Sequence, residues 1–254
     1  MLIKLMRRLP GLVVPALVLA AGLAGCAYHQ DQQYDINNPV IRKTGWFSYL
    51  DGNDIRESCA TAGEGGGQEH YRLVYNGQYD EQIRAYELYV AQDGSGILTA
   101  KALDNANNIA NITLPDIFSP WNWHESQIKL SPAEVAKFRD MLAASGYGQG
   151  APQGLQLHSR DFYWIAAGCR QGKFQYYAWN NRPQSMAPAG FAPIRFRDFL
   201  LAHDETKVGF RPDHQTSPAE RDMNRGGGGD ARTPNGTFIL TVKGDGLGGI
   251  LNAF

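Results

Sequence analysis

Phe162-Tyr163-Trp164-Ile165-Ala166-Ala167-Gly168-Cys169, then Arg170-Gln171-Gly172, then Lys173-Phe174-Gln175-Tyr176-Tyr177-Ala178-Trp179 is the stretch from which the fold is read. Aromatic side chains are frequent in both runs, and the glycine step between them is a turn signal, so the pattern predicts a hairpin. Phe162, Trp164 and Ala166 alternate with Tyr163, Ile165 and Ala167, which makes both faces of the first strand apolar. Two apolar faces suit a central pair of strands with a helix packed on one side.

Further strands are read on the N-terminal side. Residues 71–75 form one candidate. Residues 82–91 form another, with Tyr86, Leu88 and Val90 on one face and Arg84 and Glu87 breaking the pattern. Asp93-Gly94-Ser95-Gly96 is a hairpin turn, and residues 97–103 are the return strand. Ser131-Pro132-Ala133-Glu134 is the strongest helix signal in the chain. Ser131 can cap, Pro132 suits the first helical position, and Glu134 completes a capping box. Val135, Phe138, Met141 and Leu142 then share a face, and Gly146 ends the helix near Ser145. After a proline-bearing loop at 183–193, residues 194–202 read as a second helix with Phe196, Phe199 and Leu200 facing the sheet. The expected fold is α+β: an antiparallel sheet of five or six strands, two short helices on one face, and long loops.

The outer parts of the chain read differently. Residues 46–50 are a short aromatic patch followed by the turn Asp51-Gly52-Asn53, and a glycine run at 63–67 follows Cys59. Residues 105–111 are polar loop, and residues 115–124 are irregular and hold Trp121 and Trp123. Residues 204–254 are rich in glycine, proline and charge and predict a poorly ordered segment with one strand at 237–243.

Residues 1–25 begin with Lys4, Arg7 and Arg8, continue through an apolar run, and end at Leu23-Ala24-Gly25-Cys26. Pro10, Gly11 and Pro15 interrupt that run, which is shorter than the roughly 20 apolar residues of a membrane span. The layout is that of a secretory signal, and the tetrad resembles the lipobox of bacterial lipoproteins. The resemblance implies removal of residues 1–25 and a diacylglycerol on the Cys26 sulfur. With further acylation, such chains give stable anchoring to a membrane surface without a span. Residues 26–45 would be a flexible tether, residues 46–203 the globular domain. Ala27 follows Cys26, which by the same resemblance permits sorting to the outer membrane, with the domain facing the periplasm. The body of the chain, roughly 70–203, resembles small uncharacterised domains of envelope lipoproteins. That likeness rests on Leu130-Ser131-Pro132-Ala133-Glu134, on Asp161-Phe162-Tyr163-Trp164 with the Gly172 turn, and on Phe196-Arg197-Asp198-Phe199-Leu200-Leu201. It implies no particular activity.

Removal of Lys4, Arg7 and Arg8 from the 24 basic residues leaves 21 against 25 acidic ones, a formal charge of −4. This is unlike the basic footprint of a nucleic-acid binder. Cys59 and Cys169 would remain beside the lipidated Cys26. In an oxidising compartment they are expected to pair, closing a loop of 110 residues.

Candidate chemistry is sparse. Gly244-Asp245-Gly246-Leu247-Gly248-Gly249 matches a dinucleotide fingerprint, but too little chain follows to build the helix that such a site needs. His29, His70, His124, His158, His203 and His214 lack the close spacing of a zinc site, although His158 and Asp161 are neighbours. Neither Gly-X-Ser-X-Gly nor Ser-X-X-Lys occurs. Asp80, Glu81, Glu87, Asp161 and Asp198 show no spacing that selects a catalytic carboxylate pair. Phe254 invites comparison with outer-membrane barrels, but the strands are too few. Trp121, Trp123, Trp164, Tyr177 and Trp179, with Tyr176, are the candidate binding surface, because aromatic anchors dominate many interfaces. The sequence therefore predicts a non-catalytic binding or assembly module with no cofactor, no metal and no catalytic residues assigned. Its partners would be the membrane through Cys26 and an envelope protein or peptidoglycan. A periplasmic hydrolase acting on the cell wall is the alternative.

Overall fold

The computed structural model describes residues 39–61, 68–77, 82–104, 123–159, 161–180, 193–211 and 238–248. The readings for residues 1–38, including Cys26, and for Trp121 and residues 212–237 lie outside them.

Six antiparallel strands form the main sheet: β1 (Glu69–Gly77), β2 (Gln82–Val90), β3 (Gly96–Asp104), β4 (His124–Leu130), β6 (Phe162–Arg170) and β7 (Lys173–Asn180). Their spatial order is β4-β3-β2-β1-β6-β7. β1 to β4 run as a meander, and the chain then returns to lay β6 against the free side of β1, with His70 opposite Cys169 and Leu73 opposite Ala166. The hairpin at 162–180 thus forms one end of the sheet, and β1 and β2 are central. A second sheet joins β5 (Gln156–His158), β8 (Ile239–Lys243) and β9 (Gly246–Gly248) in the order β5-β8-β9.

Four helices occur among the described residues: α1 (Pro39–Asp51), α2 (Asn53–Thr61), α3 (Pro132–Ala144) and α4 (Arg197–Ala202). None is long and apolar enough to cross a membrane. α3 begins as its sequence dictates. Ser131 caps it, and the Glu134 side chain accepts from the Ser131 amide at 2.7 Å. α3 and α4 share one face of the sheet, where Val135, Phe138, Leu142, Phe199 and Leu200 cover Tyr71, Leu73, Tyr86, Leu88 and Trp164.

The opposite face is covered as well. Trp46, Tyr49 and Leu50 from α1, with Ile55 and Cys59 from α2, pack over Val74, Ala85, Ile165 and Ala167. The small sheet adds Leu157, Leu240 and Val242 over the Tyr163, Tyr176 and Ala178 side. The two helices expected from sequence do share one face, and the helices α1 and α2, which the sequence did not announce, are added on the other, because both faces of a doubly apolar sheet must leave water. Gly52, at φ +67°, joins the two helices. A Cβ there would lie 2.5 Å from that of Ala167, so glycine alone lets this corner sit on β6.

Two boundaries also change. α1 starts at Pro39, so its first residues replace the end of the expected tether at 26–45. Residues 204–211 run along the α3–α4 face and bond to strand side chains, so the chain stays attached to the fold beyond residue 203. Gly244 and Asp245 form the turn of the β8–β9 hairpin, and the glycine motif there belongs to a strand–turn–strand unit. Asp51 accepts from the Leu247 amide at 2.5 Å, and Arg56 donates to the Asp245 carbonyl at 3.0 Å, which fastens that hairpin to the α1–α2 corner.

Candidate functional site

Among the described residues, the aromatics singled out by sequence do not gather on a surface. Trp164, Tyr177 and Trp179 are 3%, 7% and 1% exposed and lie in the core beneath α3 and α4. Trp164 sits between Tyr75 and Phe196, at ring-centroid distances of 4.9 and 5.3 Å. Trp179 donates its indole N–H to the Ser145 carbonyl at 2.7 Å, tying β7 to the end of α3. Trp123 and Tyr176 belong to the other face. Period-two alternation sends neighbouring rings to opposite sides of a strand, and both sides here are interior. For its described members, the expected aromatic binding surface is thus corrected to a pair of cores, with Trp123 half-buried against one of them. Cys59 and Cys169 are joined as a disulfide, linking α2 to β6. Asp161 and His158 meet through the main chain, the Asp161 amide donating to the His158 carbonyl at 2.9 Å. No group of three His, Cys, Asp or Glu among the described residues is arranged to hold a metal ion.

Charge is instead concentrated in two buried clusters, one on each face of the central strands. On the α1–α2 face, Arg72 (1% exposed) projects from β1. It donates through Nε to Glu87 Oε1 at 2.6 Å, and through Nη1 and Nη2 to the two oxygens of Asp54 at 2.8 and 2.7 Å. Its guanidinium lies 3.8 Å from the centroid of the Tyr49 ring. The Tyr49 hydroxyl donates to Glu87 Oε1 at 2.8 Å, and His70 Nε2 lies 2.5 Å from Oε2. The His70 ring stacks on Tyr89 at 4.0 Å. Register puts the charges together: Arg72 is opposite Glu87, and His70 is opposite Tyr89.

Burial alone would push Glu87 up. The adjacent Arg72 and His70 outweigh it and hold the carboxyl at about 2. Arg72 is raised despite burial, because Glu87 and Asp54 favour its charge. A general acid near neutral pH needs a carboxyl shifted upward, and Glu87 is shifted the other way with both oxygens engaged. The arrangement braces α1 and α2 against β1 and β2.

On the α3–α4 face, Arg84 (1% exposed) projects from β2. Its Nη1 donates to Asp204 at 2.5 Å, its Nη2 to the Val208 carbonyl, and its Nε to Gln82 at 3.3 Å. Gln82 also donates to the Gly209 carbonyl at 2.8 Å and accepts from the Arg211 amide at 3.0 Å. The Tyr75 hydroxyl donates to the Arg211 carbonyl at 2.7 Å, and that of Tyr86 to Asp204 at 2.8 Å. Burial opposes ionisation of Asp204, but Thr206, Tyr86 and Arg84 together hold its carboxyl below the usual range.

Sequence reasoning passed over both clusters. Arg84 registers in sequence only as a break in a strand pattern, Glu87 as such a break and as one of five carboxylates with no selecting spacing, and Arg72 draws no reading of its own. A charge inside a strand with two apolar faces is itself a signal, since buried charges are found with partners. What the sequence lacked was the identity of those partners, 18 residues away for Arg72–Asp54 and 120 for Arg84–Asp204. Comparison of the chain with protein-family models, with curated proteins and with solved structures finds no match.

Proposed function

We propose that this chain is a lipid-anchored lipoprotein of the bacterial envelope, held at the outer membrane through Cys26, facing the periplasm, and acting as a non-catalytic binding or assembly module. The observation that carries the anchor is Leu23-Ala24-Gly25-Cys26 at the end of a basic and then apolar stretch. The cysteine pattern supports it. Of three cysteines, Cys59 and Cys169 pair with each other, as suits an oxidising compartment, and Cys26 is left for the thioether. Diacylglycerol with a further acyl chain is enough for stable attachment. Partners within reach of such an anchor are envelope proteins and peptidoglycan.

The binding-module reading is supported by the state of the buried carboxylates. Asp54, Glu87 and Asp204 each accept from an arginine. The cell-wall hydrolase reading draws on one contact, His70 with Glu87. The depressed Glu87 carboxyl suits a brace better than a proton donor.

Intact mass of protein extracted from membranes tests the anchor, with Cys26→Ser alongside. The expected result is a chain that starts at Cys26 and carries acyl mass, with both features lost in the variant. A full-length, unmodified chain in the wild-type membrane fraction would sink the proposal.

A further inference from the structure

Residues 204–211 lie on the α3–α4 face as a strap without regular secondary structure, bent at Thr206, and the strand side chains beneath it recognise mainly its backbone. Gln82 contacts the Gly209 carbonyl and the Arg211 amide, Tyr75 contacts the Arg211 carbonyl, and Arg84 contacts the Val208 carbonyl. Two strap side chains reach the floor. Asp204, with a side chain 4% exposed, meets Arg84 and Tyr86. Phe210 tilts on the Tyr75 ring at 4.9 Å. Glu205, Lys207 and Gly209 are exposed, and a Cβ on Gly209 would meet nothing within 4 Å. Main-chain hydrogen bonds that supply affinity, with a few side-chain contacts that supply selectivity, are how proteins take up extended peptides. The occupant is also strained, since Lys207 holds φ at +63°, a region that residues other than glycine seldom adopt.

We propose that this groove, floored by Tyr75, Gln82, Arg84 and Tyr86, is a peptide-binding site which the chain's own residues 204–211 occupy. An acidic extended segment of a partner protein would take it by displacing the strap. Arg84 dictates the chemistry of the ligand. With the strap gone it loses the carboxylate of Asp204 and the Val208 carbonyl and keeps only the neutral Gln82, at 3.3 Å, and Tyr86 of the floor, and a buried guanidinium without a counter-charge is costly. The groove therefore exchanges occupants and does not stand empty. The incoming peptide must bring a carboxylate to Arg84 and Tyr86, main-chain carbonyls to Gln82 and Tyr75, and an aromatic ring six residues after the acid. The site deepens the binding-module reading and rests on it, while being independent of the lipid anchor.

The test uses the mature protein, a variant with Asp204→Ala and Phe210→Ala that loosens the strap, and a fluorescent peptide of sequence HDETKVGFR. Fluorescence anisotropy should show the variant binding the peptide at least about tenfold more tightly than wild type, a difference of roughly 1.4 kcal/mol. A peptide with Asn in place of its Asp should lose that gain. A folded variant with no saturable binding up to about 1 mM peptide, the weak end of useful affinity, overturns the proposal. Should that variant not fold, Phe210→Ala alone, which leaves the Asp204–Arg84 pair in place, is put to the same test with the same outcomes. Hydrogen exchange on wild-type protein decides independently. The Thr206 and Arg211 amides should exchange at least about a hundredfold faster than those of β1 and β2, through local opening. Equal protection would make the strap part of the core. None of these readouts depends on acylation of Cys26, so failure here is distinguishable from failure of the anchor.

Discussion

Glu87 is an ionised carboxylate in an interior position, 8% exposed, and it holds together side chains from α1, β1 and β2. Its oxygens accept from Tyr49 and Arg72 and lie against His70, so protonation would weaken all three contacts at once. A carboxyl held at about 2 against an ordinary value of 4.5 adds stability that is complete above pH 4.5 and fades as pH falls towards 2. The magnitude is on the order of 3 kcal/mol, since each tenfold change in a group's acidity is worth about 1.4 kcal/mol. Urea unfolding midpoints followed from pH 5 to pH 2 should fall steeply in wild type. Glu87→Gln should start lower, because Arg72 and Asp54 lose a member of a buried charge network, and should fall less over the same interval. An equal slope in both proteins would show that Glu87 is not the group responsible.

At the scale of the element, the helices divide by how their ends are made. α3 carries a complete cap, with Ser131 Oγ accepting from the Glu134 amide at 3.4 Å and the Glu134 carboxylate accepting from the Ser131 amide at 2.7 Å. The Ser131 oxygen and the Glu134 carboxylate satisfy amides at the start of the helix that have no partner within it. Ser131→Ala should lower stability by about 1 kcal/mol, read as a shift in denaturation midpoint with unchanged cooperativity. α1, as long as α3, and the nine-residue α2 owe their place to burial. Trp46, Tyr49 and Leu50 at helical spacing, then Ile55 and Cys59, form one apolar stripe across the Gly52 corner. The same residues read in sequence as an aromatic patch and a turn. The stripe was visible, but Gly52-Asn53 broke it into pieces too short to register as helix.

At the scale of the molecule, a long-range sheet is closed by one covalent bond. Cys59 and Cys169 are 110 residues apart and join α2 to β6, across the part of the chain that contains β1 to β4 and α3. Bridging a loop of that length restricts the unfolded chain by about 4–5 kcal/mol in the chain-entropy model. Replacing both cysteines by alanine should reduce stability by a comparable amount in urea titrations. The intact wild-type protein should also gain about two mass units on reduction, one per thiol formed. No such gain would mean that the thiols are unpaired in solution.

The amino-acid sequence by itself determined the α+β class, the hairpins β2–β3 and β6–β7, the capped helix α3 and the pairing of Cys59 with Cys169. These follow from local rules, namely period-two alternation, turn glycines, a capping tetrad and a count of cysteines. Only the tertiary structure decided the order of the strands, the cover on both faces and the fate of Trp164, Tyr177 and Trp179. An alternating strand states that two faces differ, while what lies on each is settled by distant segments. The same holds for Arg72 and Arg84. Arg84 reads in sequence as an interruption of a strand and Arg72 as nothing distinct, and both become intelligible when Asp54, Glu87 and Asp204 are brought alongside. Charge pairing in an interior depends on distances in space, and those arise only once the chain has closed on itself.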